Sequence, residues 1–229
     1  MKDDAAKMAD LGPGKCLLIL LLNSIPFFHA LLVMGLFFYP WERIWISCLC
    51  GIGCLYLLPP VVARIFGIIM PIKRSRIAVG SREYFTWWAL ANMQMLFCRL
   101  PFLEELLRLI PGVYSNWLRL WGAKIGRLTY WAAGTKILDR QCLEVGNNVV
   151  LGAGVRINAH VLVKNDDGQL ELLLAPIKIG DNVIVGGYSL LTTGTEIANG
   201  EFTKALLTSP PFSHWENGSR TKNDINAEL

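Results

Sequence analysis

From Val145 the chain counts in sixes. Val145, Leu151 and Ile157 are aliphatic, and the count restarts with Ile179, Val185, Leu191 and Ile197. The next position is small or polar each time: Gly146, Gly152 and Asn158, then Gly180, Gly186, Thr192 and Ala198. Four residues after the aliphatic positions come Val149, Val155, Val161, Val183, Ser189 and Thr195. A fixed hexad of this kind marks a parallel β-helix, in which each short strand turns one aliphatic side chain inward and tight corners need small residues. Ile125, Trp131, Ile137 and Leu143 keep the step in another phase, which predicts a first coil and a slip before Val145. Val145 and Ile179 are 34 residues apart, not a whole number of hexads. The interruption, residues 161–177, contains the polar, turn-forming stretch Lys164 to Gln169 and predicts a loop projecting from the coils.

The first third of the chain obeys a different rule. With 53% hydrophobic and 17% charged residues in 229, one soluble domain would be unusually apolar, so the excess must be localised. Cys16 to Pro40 holds no Asp, Glu, Lys or Arg, and Ile44 to Ala63 is free of charge until Arg64. Each is long enough to span roughly 30 Å of hydrocarbon as a helix. The first run exceeds the apolar core of a cleaved signal peptide and no small-x-small site follows it. Two transmembrane helices are therefore expected within residues 16–72, although Pro59-Pro60 leaves open an early end to the second, with Val61 to Ile72 lying at the interface. Lys2, Lys7 and Lys15 precede the first run, Arg43 alone lies between the two, and Lys73, Arg74, Arg76 and Arg82 follow the second. This distribution predicts both flanks, and the C-terminal domain, on the cytoplasmic side. The net charge of +4 is then explained by anchoring next to anionic headgroups, without a nucleic-acid partner.

Five segments follow: a tail (1–15), two transmembrane helices (16–72), amphipathic interfacial helices (73–121), a β-helix domain (122–211) and a polar C-terminal tail (212–229). Trp87, Trp88, Trp117 and Trp121 lie in the interfacial region, where tryptophan favours the headgroup level, so an in-plane collar is expected over helices buried against the coils. Glu104, Glu105 and Arg108 are read as a solvated helix face. Six cysteines lack paired CxxC spacing and read as small apolar core residues. His29 sits mid-span near Asn23, where it can glue helices together. His214 reads as a surface residue.

The pieces "GAKIG" at Gly122, "ILD" at Ile137, "VGNNVVLGAGVRINAH" and "IKIGDNVIVGGYSLLTTGTEI" make the sequence resemble the hexapeptide-repeat acyltransferases over roughly 122–211. The resemblance implies a left-handed parallel β-helix, acetyl-CoA as acyl donor with no metal, and a homotrimer with active sites between subunits. It also implies that the interrupting loop reaches toward a neighbouring subunit. In that family a histidine just before the loop acts as general base, and His160 ends "RINAH" here. A neutral imidazole accepts a proton near neutral pH. The family binds the pantetheine arm through small residues on successive coils, which points to Gly187 and, one coil later, Ala205. Trp215, Arg220 and Lys222 are candidates for adenine and phosphates, against a disordered polar tail.

The expected function is thus CoA-dependent acyl transfer, with O-acetylation of a membrane-associated glycan or lipid-linked acceptor as the leading reading. An acyltransferase acting on an amine and a non-catalytic scaffold stand beside it. A zinc enzyme on this fold needs three histidines, and only His160 and His214 lie in or after the repeat.

Overall fold

The computed structural model describes residues 11–71 and 75–222. Lys2, Lys7, Lys73 and Arg74 of the expected basic flanks lie outside these residues, as does 223–229 of the C-terminal tail.

Helices α1 (Pro13–Asn23) and α2 (Ile25–Phe38) succeed one another through Ser24, and α3 (Ile44–Tyr56) and α4 (Leu58–Ile69) through Leu57. The resulting runs, Pro13–Phe38 and Ile44–Ile69, are 26 residues each and by length and composition suffice to cross a membrane. Their outward surface is apolar, with Leu17, Leu20, Phe27, Phe28, Ile44 and Ile68 exposed. Pro59-Pro60 does not end the second run. Pro60 has no N–H for the Tyr56 carbonyl, and the indole N–H of Trp117 donates to that oxygen instead, at 2.8 Å. His29 Nε2 meets the Cys54 carbonyl at 3.1 Å and ties α2 to α3. Asn23 serves elsewhere, accepting from the Trp88 indole at 2.9 Å. Cys16 and Cys48 are exposed on these helices, so the core reading of the cysteines does not hold for them.

Three further helices, α5 (Arg82–Arg99), α6 (Phe102–Arg108) and α7 (Val113–Trp121), connect the apolar runs to the coils. The Ser81 hydroxyl caps α5 by accepting from Tyr84 N at 3.2 Å. Gly122, at φ +104°, closes α7 in a conformation that glycine adopts without strain. The expectation of headgroup-level tryptophans fails for Trp87, Trp117 and Trp121, all of them buried. Leu90, Phe97, Trp117, Leu118 and Trp121 share one apolar core with Ile125, Ile137, Leu143 and Val145 of the coils. A tryptophan buries 150–250 Å² in such a core, more than partial immersion at an interface offers.

Glu104 and Arg108 likewise depart from the expected solvated face. Glu104 is buried and pairs with Arg140, whose side chain is 0% exposed, while the Tyr114 hydroxyl donates to its other oxygen. Arg108 bonds Glu105 at 2.5 Å and the Thr135 carbonyl at 2.8 Å. Burial lowers the proton affinity of the Arg140 guanidinium, but the charge and hydrogen bond of Glu104 together with the neighbouring Cys98 and Tyr114 outweigh it, and the net shift is upward. This ion pair fastens α6 and α7 to the first coil.

From Lys124 onward the chain winds as a three-faced parallel β-helix. The first face stacks Lys124–Ile125, Leu143–Val145, Ile177–Ile179, Glu196–Ile197 and Ser213–Glu216. The second stacks Tyr130–Trp131, Val150–Leu151, Ile184–Val185 and Phe202–Thr203. The third stacks Lys136–Leu138, Arg156–Asn158, Leu190–Thr192 and Thr208–Ser209. The hexad residues are the inward rungs: Val145 lies over Ile125 and under Ile179 and Ile197, and Ile157 lies between Ile137 and Leu191. Each buried rung contributes about 1.5–3 kcal/mol. The slip expected before Val145 is a short 3₁₀ turn, Arg140–Cys142, which lengthens the first coil.

The outward positions differ from face to face. On the first face Lys124 meets Glu144 at 2.9 Å and Lys178 meets Glu196 at 2.7 Å. On the second, Tyr130, Val150, Ile184 and Phe202 stand in register, with Tyr130, Ile184 and Phe202 exposed. On the third, Lys136 and Arg156 are adjacent. Residues 212–222 are not a free polar tail. Phe212 is fully buried, and Ser213–Glu216 and Ser219–Lys222 form a hairpin that extends the first face. His214 lies on that hairpin, 3.9 Å from Glu196.

Candidate active site

His160 stands where the chain leaves the third face. There the coil is interrupted by a hairpin, His160–Lys164 against Leu170–Leu174, so the interruption is ordered sheet rather than loop. Ser75–Ala78 adds a third antiparallel strand to it. Leu172 and Leu174 pack with Ile77, Tyr84 and Trp87. The hairpin body thus packs on its own chain, and Asn165–Gly168 forms the turn at its tip. Asp166 and Asp167 sit on that turn, beyond Lys164, which the strand already carries about 13 Å from His160, too far to share its chemistry.

One coil below the His160 corner, the 3₁₀ turn displaces the chain so that Asp139 adopts φ +58°, a left-handed conformation that aspartate tolerates better than most residues. Its side chain is 1% exposed and lies against His160, which keeps 25% of its side-chain surface. Asp139 Oδ2 is 2.5 Å from His160 Nδ1. The indole N–H of Trp87, from α5, donates to Asp139 Oδ1 at 2.7 Å. The Trp87 ring also meets the imidazole edge-on, with centroids 4.7 Å apart. Gln94, two turns along α5, accepts from the Arg140 backbone N–H at 2.8 Å and from its guanidinium at 3.0 Å, which holds the corner against the helix.

These contacts set the state of the imidazole. A carboxylate only accepts, so Nδ1 carries the proton and Nε2 presents its lone pair. Among the described residues Nε2 has no hydrogen-bond partner. Burial lowers the proton affinity of His160, but the hydrogen bond and charge of Asp139 outweigh it, leaving the pKa above the ordinary 6.5. An oriented imidazole with a free Nε2 can remove a proton from a hydroxyl and return it to a leaving group.

The other expected site residues fall into two groups. Gly187 and Ala205 stack at the corner between the second and third faces, where Leu206 N donates to the Gly187 carbonyl at 2.8 Å. The repeat there is regular, despite the irregular sequence around Ala205, because Phe202–Thr203 keeps register with Ile184–Val185. Trp215, Arg220 and Lys222 lie instead on the terminal hairpin of the first face, in the register Trp215↔Arg220 and Ser213↔Lys222. The Trp215 ring packs on the core and its N–H donates to Ser209 Oγ at 2.9 Å, so it closes the end of the coils. These three are not brought to the Gly187–Ala205 corner. Nor does one chain bring that corner to His160, since the third face separates them. Among the described residues, no group of three or more His, Cys, Asp and Glu could hold a metal ion.

No protein-family model and no curated protein matches the chain. Among solved structures it is similar to a galactoside acetyltransferase in complex with coenzyme A, with 14% identity over 52% of this chain and 76% of that one, at a TM-score of 0.31. A maltose O-acetyltransferase from Clostridium difficile 630 aligns with 20% identity over 54% of this chain and 84% of that one, at a TM-score of 0.32. A hexapeptide-repeat acetyltransferase from Vibrio cholerae O1, complexed with acetyl coenzyme A, aligns with 14% identity over 54% of this chain and 83% of that one, at a TM-score of 0.34.

Asp139 and Trp87 are the residues that sequence reasoning did not select. The signal for Asp139 was the slip in the hexads immediately after "ILD"; Trp87 lies 52 residues from Asp139 and left no local sign.

Proposed function

We propose that the protein is a membrane-anchored, CoA-dependent O-acetyltransferase of the hexapeptide-repeat type, which moves an acetyl group from acetyl-CoA to a hydroxyl of a membrane-associated glycan or lipid-linked acceptor. The observation that carries this reading is the chain Trp87–Asp139–His160 at a β-helix corner, with Nε2 unengaged. His160 Nε2 takes the acceptor's hydroxyl proton as the oxygen attacks the thioester carbonyl. The tetrahedral adduct then expels the CoA thiolate, which recovers the proton from the imidazolium, so the enzyme ends as it began. Asp139 holds the tautomer and stabilises the transient imidazolium.

Three further parts belong to the proposal. Gly187 and Ala205 line the pantetheine path, and a homotrimer brings that corner of one subunit to His160 of the next. In support, the exposed stripe Tyr130, Ile184 and Phe202 borders the Gly187–Ala205 corner and is apolar enough to need a partner. The runs Pro13–Phe38 and Ile44–Ile69 span the bilayer, with the coils on the cytoplasmic side where CoA is available.

The test is thiol release from acetyl-CoA by the full-length protein supplied with membrane extract, beside a CoA-binding measurement. His160→Ala is expected to lower turnover by about 10²- to 10⁴-fold with CoA binding kept. Turnover equal to the parent's removes His160 as base; loss of CoA binding or of fold makes the residue structural.

A further inference from the structure

A cavity of about 370 Å³ lies between the second apolar run and the coils. Ala63, Gly67 and Ile68 of α4 and Leu90 of α5 supply apolar walls, and Trp121 closes α7 against it. One side chain distinguishes it from a packing defect: Arg64, on the cavity wall. Its Nη1 donates to the Arg119 carbonyl at 3.0 Å, which fixes the guanidinium, and among the described residues no carboxylate pairs with it. A β-carbon added to Gly122 would stand 4.0 Å from that same nitrogen, so the cation lies close over a backbone without a side chain.

The position of the cavity narrows the choice of ligand for that cation. Arg64 and Ile68 belong to the last two turns of a run whose outer surface is apolar, with Ile65, Ile68 and Ile69 exposed. An amphiphile there can keep its chains along α4 while its head meets the guanidinium. The opposite wall is the backbone of the candidate active site. Leu174 is the cross-strand partner of His160, Ala175 N donates to the Ala159 carbonyl at 3.1 Å, and Cys142 N donates to the Asp139 carbonyl at 2.8 Å. A larger cavity of about 470 Å³, lined by residues 108–119 and 126–131, lies away from the apolar runs.

We propose that the cavity between Arg64, Trp121 and Leu174 binds the phosphate-bearing head of a membrane lipid, and that the acceptor is presented to His160 on such a lipid. The second half rests on the acetyltransferase reading above; the first does not. Arg64 supplies charge-assisted hydrogen bonds to the phosphate.

Native mass spectrometry of the full-length protein in detergent tests it, with phosphatidic acid, diacylglycerol of the same chains and inorganic phosphate as probes. Phosphatidic acid is expected to bind at least about tenfold more tightly than diacylglycerol, and millimolar inorganic phosphate should not displace it. Arg64→Gln should weaken it by about tenfold or more, as expected for a hydrogen bond to a charged group. Arg127→Gln, away from the cavity, should not. Equal binding of phosphatidic acid to parent and Arg64→Gln refutes the site. Displacement by inorganic phosphate refutes the lipid in favour of a free anion. Arg64 is exposed, so its variant folds. His160→Ala should bind phosphatidic acid like the parent, so loss of acyl transfer with lipid binding intact strikes only the enzymatic reading.

Discussion

Replacing Asp139 by Asn separates the orientation of His160 from its presence. Asp139 accepts from Nδ1 at 2.5 Å and from the Trp87 indole at 2.7 Å. The Asn side chain can still accept from Trp87 through its oxygen, but its amide then faces Nδ1 as a donor. That reverses the tautomer: Nε2 takes the proton, and the lone pair needed to receive the acceptor's proton is gone. The loss is that of general-base assistance, about 10²- to 10⁴-fold in turnover, or roughly 3–5 kcal/mol at 1.36 kcal/mol per decade. The pH profile carries a second signature. In the parent the base must be deprotonated, so activity falls as pH drops through a value raised above 6.5. In Asp139→Asn the burial that lowers this value is unopposed, and the acid limb of the residual activity moves down.

Stability must shift consistently. His160 gains proton affinity on folding, so its stabilising contribution is full below about pH 6.5 and is lost as pH rises through the folded value. The parent's advantage in Tm over Asp139→Asn should therefore shrink as pH rises across that window. The assays are thiol release against pH and thermal unfolding against pH. An Asn variant with the parent's turnover and an unmoved acid limb refutes the orienting role.

Three other outcomes are expected. Trp87→Phe keeps the apolar packing but removes the donor to Asp139 Oδ1, so turnover should fall about tenfold with CoA binding unchanged, and unfolding should cost about 1–3 kcal/mol less; a loss of stability with turnover intact leaves Trp87 a packing residue. Arg140→Met strands the buried Glu104 and should destabilise by about 3–5 kcal/mol, whereas Arg140→Met with Glu104→Gln should recover much of it, as read by denaturant unfolding. Phe202→Glu on the apolar stripe should turn a trimer into monomers in detergent, by mass measurement, and abolish transfer while sparing the coils; a parent that is monomeric removes the intersubunit cleft.

The hexads determined the coiled architecture by themselves, because one inward aliphatic per short strand and a small corner residue are local demands that every rung repeats. The charge-free runs likewise declared two long apolar helices, since length and composition are readable along the chain. His160 was legible too, as the residue at which a strict count breaks. What only the tertiary structure decided is what the histidine touches. Asp139 reaches it because the 3₁₀ turn Arg140–Cys142 shifts one corner, and Trp87 reaches Asp139 because α5 packs across that corner. The same packing turned Glu104 from a solvated charge into the partner of a buried arginine, and took Trp117 and Trp121 from an expected interface into the core. In each case the cause lies in a contact between segments distant along the chain, and hydrophobic pattern records only that a side chain prefers to be buried, not against which neighbour.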